Sequence, residues 1–84
     1  MFYIYIIQSD KDKGLYIGRT NNLERRLSEH NNGRVSSTKS RRPFKILEIT
    51  KTDSEKDSVV IEKEHKKGYK REKIKKKYNI GGFA

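Results

Sequence analysis

The chain contains no cysteine and only two histidines. Without thiols it can form no disulfide, no cysteine-ligated zinc centre and no thiolate nucleophile. Two histidines alone do not make up the ligand set of a structural zinc site. Long apolar runs are also missing. The longest, MFYIYII at the N-terminus, is far shorter than the ~20 residues a membrane-spanning helix needs, and no basic segment precedes it to make a secretion signal. A cytoplasmic protein is therefore expected. Hydrophobic residues are scarce too, at 31% against 38% charged, a balance that edges toward disorder. The 84 residues allow one domain, residues 1–84, with a small core. No internal repeat is visible.

The apolar residues that are present are clustered and periodic, which argues for a fold. Phe2–Gln8 is β-branched and aromatic and reads as a strand. A polar turn ending in Gly14 leads to a second strand, LYIG. The link is too short for a crossover, so the two form an antiparallel hairpin. A helix follows from Asn21 or Asn22, with Glu24 in its first turn and Asn31–Gly33 at its end. Its spacing puts Leu23, Arg26, Leu27 and His30 on one face, with the two polar members at the rim and Arg25 pointing elsewhere. RVSSTKSRRP has no periodicity and reads as a loop. FKILEIT is a third strand. Thr52 and Glu55 match a capping box opening a second helix that runs toward Gly68. A last helical stretch carries Tyr69, Ile74 and Tyr78, which are expected to dock on the domain. The order is β-β-α-β-α-α: an α+β fold with a small three-stranded antiparallel sheet flanked by helices.

Charge is the strongest compositional signal. Twenty-one Lys and Arg face eleven Asp and Glu, a net charge of +10. Such an excess points to a polyanionic partner, DNA or RNA first and an acidic membrane surface second. Between Lys63 and Lys77 nine Lys or Arg stand against two Glu, a run that is often only a solvated helix face.

Two tyrosine strands, a basic helix and a helical glutamate occur here in a fixed order. Tyr3-Ile4-Tyr5 is similar to the first signature element of the GIY-YIG nuclease superfamily, and Tyr16-Ile17-Gly18 to the second. NNLERRLSEH, STKSRRP and EKEHKKGYKRE follow at the expected places. Over nearly the whole chain, the set resembles the small single-domain bacterial subgroup related to the nuclease domain of the excision-repair incision machinery. Tyr3 stands where the first signature glycine would be.

The resemblance implies a metal-dependent DNA endonuclease of little sequence specificity, acting on branched, nicked or single-stranded DNA in repair or recombination. It implies one Mg²⁺ or Mn²⁺ held by Glu62, six residues before Gly68 in an E-x-x-x-K-x-G pattern. A single carboxylate leaves the remaining positions to water and phosphate, which suits Mg²⁺. Spacing alone favours Glu62 as a surface residue paired with Lys66, and Glu64 is the next candidate in register. Arg26 matches the family arginine that holds the scissile phosphate with its planar fork. Tyr5 and Tyr16 match the signature tyrosines, one of which, usually the second, is proposed in the family as general base or water-positioner. A free phenol ionises near pH 10, so that role requires a nearby cation or metal-bound water; the alternative is a pair of packed core aromatics, a reading that suits Tyr5 better than Tyr16. His30, one turn beyond Arg26, is a proton donor, a phosphate holder or a structural residue. Gly18 allows close approach of strand and helix. Arg19 is expected on phosphate. The loop with Thr38, Lys39, Arg41 and Arg42, the C-terminal lysines including Lys70, and Asn79 are expected along the DNA backbone. Two alternatives stay open: a non-catalytic nucleic-acid-binding module on the same scaffold, and a nuclease active only with a larger targeting subunit.

Overall fold

A computed structural model describes residues 1–78, apart from the side chain of Tyr69. Strands β1 (Phe2–Ser9) and β2 (Leu15–Thr20) form the hairpin, followed by helix α1 (Leu23–Asn31), a 3-10 turn (Lys39–Arg41), strand β3 (Phe44–Thr52) and helices α2 (Glu55–His65) and α3 (Gly68–Tyr78). The sheet order is β2-β1-β3, antiparallel throughout. The expected architecture is therefore present, with each strand slightly longer than its apolar run suggested.

Alternation along β1 gives the sheet two dry faces. Ile4 and Ile6 point to one side and meet Leu15, Ile17 and Ile74, with Leu47, Ile61 and Tyr78 at the margin. Tyr5 and Ile7 point to the other and meet Phe44, Tyr16, Leu23, Leu27 and Ile46. Helix α1 thus covers one face, and α2 and α3 the other. Ile4, Ile6, Ile7 and Leu15 are at most 1% exposed, and burying each such side chain contributes about 1.5–3 kcal/mol. The pairing of β1 with β3 shifts between Ile6 and Ile7, where Leu47 is the extra residue. This bulge puts Leu47 and Glu48 on the same side, so Leu47 joins the core while Glu48 receives the Tyr78 hydroxyl at 2.5 Å.

The caps correct one expectation. Asn22 caps α1, its side chain accepting from the Arg25 amide at 3.1 Å. Helix α2 is capped by Ser54, which accepts from the Asp57 amide at 3.2 Å, and not by Thr52. Thr52 is retained by the sheet, where it pairs with Phe2. The segment between α1 and β3 is also more ordered than its composition suggests. Asn31 bridges its ends, accepting from the Phe44 amide at 2.7 Å and donating to the Phe44 carbonyl at 3.3 Å. The Ser9 hydroxyl donates to the Arg41 carbonyl, tying the segment to the hairpin. Ile74 and Tyr78 dock as expected; the side chain of Tyr69 lies outside the described residues.

Candidate active site

Tyr5 sits in the middle of the central strand and faces Gly18 directly across the β1–β2 ladder. A Cβ at Gly18 would overlap the Tyr5 ring and its hydroxyl oxygen. Glycine is required so that the Tyr5 ring can lie over β2 and carry its hydroxyl to the open edge of the sheet. The expected strand–helix contact at Gly18 is thus replaced by a closer neighbour, the tyrosine ring. Tyr16, two residues back on β2, stands diagonal to Tyr5 with ring centroids 6.4 Å apart.

Helix α1 brings His30 against both rings. Its ring centroid lies 5.0 Å from Tyr16 and 5.9 Å from Phe44. Its Nε2 lies 2.9 Å from the Tyr5 hydroxyl oxygen and its Nδ1 lies 2.8 Å from the Thr38 hydroxyl oxygen. His30 and Thr38 are both 0% exposed. His30 is therefore not a rim residue, and the Thr38 side chain points inward and not to the surface of its loop. Both are in the interior because each supplies the polar partner the other needs. Burial, reinforced by the Arg26 cation, pushes the His30 imidazole down to about 4, so it is neutral at physiological pH. Burial pushes the Tyr5 phenol up to about 12, against the opposing pull of the nearby Arg26 cation. Arg26 is half-buried and also pairs with Glu29 at 3.1 Å.

Glu62 reaches the same region from the opposite face of the sheet. It lies on α2, which packs against β1 and β2, close enough to Tyr5 that its charge also raises the phenol. Glu62 Oε1 lies 3.7 Å from Arg19 Nε, and Oε2 lies 3.3 Å from Lys66 Nζ. Arg19 also donates to the buried Ser58 hydroxyl at 3.4 Å. Glu62 is thus the partner of Lys66 that spacing allowed, and it pairs with Arg19 as well. Among the described residues no group of three or more His, Asp or Glu converges as a metal cage. A hard divalent cation that keeps most of its own waters fits a single carboxylate such as Glu62, and Glu62 is the residue that would hold it.

An open cleft beside this cluster is lined by Phe2, Arg19, Thr20, Asn21, Arg25, Arg26 and Glu55. It brings Arg19, Arg25 and Arg26 together. Arg25 was read as pointing elsewhere; helical phase excludes it from the core-facing stripe but leaves it free to line a cleft beside the helix start. Lys39 and Arg42 are exposed on the α1–β3 segment. Arg41 is turned inward onto the hairpin, donating to Asp12 at 2.7 and 3.0 Å. That pair holds the Asp12 carboxyl well below the usual carboxylate range. Lys70 lines a separate hollow with Glu48, His65, Lys73, Ile74 and Lys77. Asn79 lies outside the described residues.

The GIY-YIG catalytic-domain model matches residues 1–79, a span that includes every residue of this cluster. The chain belongs to the GIY-YIG family. Membership supports a nuclease-type function. Similar proteins include a UPF0213 protein of Syntrophus aciditrophicus, 42% identical over 86% of this chain and 84% of its own length. Another, from Oceanobacillus iheyensis, is 36% identical over 87% of this chain and 85% of its own. The solution NMR structure of the UPF0213 protein BH0048 from Bacillus halodurans is similar with a TM-score of 0.54 and 28% identity, covering 88% of this chain and 82% of that one. In the described part no helix is long and apolar enough to cross a membrane.

Proposed function

We propose that this GIY-YIG chain is a divalent-metal-dependent DNA endonuclease. It would hydrolyse phosphodiesters with little sequence selectivity, with branched, nicked or single-stranded DNA as substrates in repair or recombination. One observation carries the reading: Tyr5, Tyr16 and His30 converge on one face of the sheet, Arg19, Arg25 and Arg26 line one cleft, and Glu62 on the other face pairs with Arg19 of that cleft.

Hydrolysis requires a positioned water, neutralisation of the charge that builds on phosphorus, and help for the departing oxygen. The Arg26 fork suits two phosphate oxygens, and Arg19 and Arg25 extend the cationic track along the cleft. Tyr16 is only half-buried and is the signature tyrosine whose hydroxyl can meet a water. Tyr5 is held protonated by burial, so it acts as a hydrogen-bonding and orienting group and not as a phenolate base. Mg²⁺ or Mn²⁺ on Glu62 would supply Lewis-acid stabilisation of the phosphate charge. Glu62 would hold the cation in place of its present pairing with Arg19, and Arg19 would then face phosphate.

Glu62→Gln tests the proposal. The variant is expected to bind DNA as the wild type does but to nick supercoiled plasmid at least about a hundredfold more slowly in Mg²⁺ or Mn²⁺, with EDTA abolishing wild-type nicking. Wild-type rates from the variant would sink the assignment. The ion pairs on both Glu62 oxygens favour a second reading, a DNA-binding module or a nuclease that needs a partner protein to free the carboxylate. Tight, salt-sensitive binding without turnover in any metal would select it.

A further inference from the structure

We propose that Thr38 is a positioning residue: its buried hydroxyl holds His30 in the Nδ1–H form, which leaves the lone pair of Nε2 to orient the Tyr5 hydroxyl at the reactive edge. The catalytic consequence rests on the nuclease reading above; the tautomer does not.

Only one arrangement of protons satisfies every group in this buried line. The Tyr5 hydroxyl belongs to a side chain buried at 2% exposure, so its proton must point at an acceptor. The ring nitrogen 2.9 Å away, His30 Nε2, is that acceptor. A neutral imidazole carries one N–H, so the proton sits on Nδ1 and is donated to the Thr38 oxygen at 2.8 Å. The Thr38 hydroxyl then spends its own proton on the Val35 carbonyl at 3.4 Å. In the reverse arrangement His30 would donate to Tyr5, and the Tyr5 proton would have no partner in a site that is 2% exposed. Burial of His30, which keeps the ring neutral, supports the same assignment.

The geometry also explains why a threonine stands in this otherwise basic segment. Thr38 precedes the 3-10 turn, and its amide donates to the Val35 carbonyl at 3.1 Å. A side chain with both a donor and an acceptor, short enough to fit in a closed space beside an imidazole, is what the line requires. A valine would match the shape and leave Nδ1–H without an acceptor.

The test is long-range ¹H–¹⁵N correlation of the imidazoles in the full chain. There are only two histidines, so a His65 variant assigns both rings. Wild-type His30 is expected in the Nδ1–H form. Thr38→Val is expected to abolish that pattern and Thr38→Ser to retain it. In plasmid nicking, Thr38→Val should lower kcat about tenfold or more with KM for DNA unchanged, and Thr38→Ser should restore it. A wild-type ring in the Nε2–H form overturns the proposal without any variant. So does a Thr38→Val ring that keeps the wild-type pattern, or a changed ring that leaves kcat intact. A wild type that never cleaves would count against the nuclease reading, and the tautomer measurement would still decide the role of Thr38.

Discussion

Single residues in this site are set by what surrounds them more than by their type. His30 shows it most clearly. In an unfolded chain its imidazole ionises near 6.5; in the fold it does so near 4. The folded form is therefore the poorer proton binder, and stability is lost as pH falls from about 6.5 toward 4. Between pH 7 and 4.5 the loss due to this group comes to about 2 kcal/mol. Urea unfolding of the wild type and His30→Gln at those two pH values should differ by that amount, with the wild type losing more. Equal losses would mean that His30 is not shielded as described. Burial of this kind was hidden in the sequence, because the partners that make it tolerable, Tyr5 and Thr38, lie 25 and 8 residues away. Arg25 was hidden for another reason: helical phase says which side chains leave the core, but not what they meet outside it.

At the scale of elements much was legible. β-branched and aromatic runs marked all three strands, and Asn22 marked the start of α1, because these are local signals that tertiary structure reinforced. The cap of α2 was misplaced because Thr52 and Ser54 both fit a capping role, and only the pairing of Thr52 with Phe2 decides between them. The third helix is attached through few side chains. Its one buried described side chain is Ile74, at 8% exposure, with Tyr78 held by Glu48. Ile74→Ala is therefore expected to lower stability by about 2–3 kcal/mol while leaving plasmid nicking at the wild-type rate below the new melting temperature. Loss of activity in a folded Ile74→Ala protein would place α3 in the site, which the geometry does not.

The whole molecule is a slab, 33 × 29 × 17 Å between Cα extremes, and its charge is not spread evenly in effect. Arg41 is consumed by Asp12, and Lys66, Lys67 and Lys75 pair with nearby glutamates; Arg19 and Arg26 have carboxylate partners too, but with Arg25 they share one cleft. DNA affinity should therefore depend on which cations are removed, not on net charge alone. Arg25→Ala is expected to shallow the plot of log affinity against log salt by about 0.9, while Lys70→Ala leaves the slope unchanged. Fluorescence anisotropy across a salt series reads both, and equal effects would mean that DNA does not follow this cleft.

Tyr5 occupies the middle strand of the sheet, bonded on both sides, and its side chain is part of the core. Edge strands and terminal helices of small domains open and close locally, but a central strand generally exchanges its amide protons only when the entire domain comes apart. The geometry of the site is thus as durable as the fold and no more so. Fraying at the ends of the chain should leave it intact, and heating should extinguish it in the same cooperative step that dissolves the hydrophobic interior.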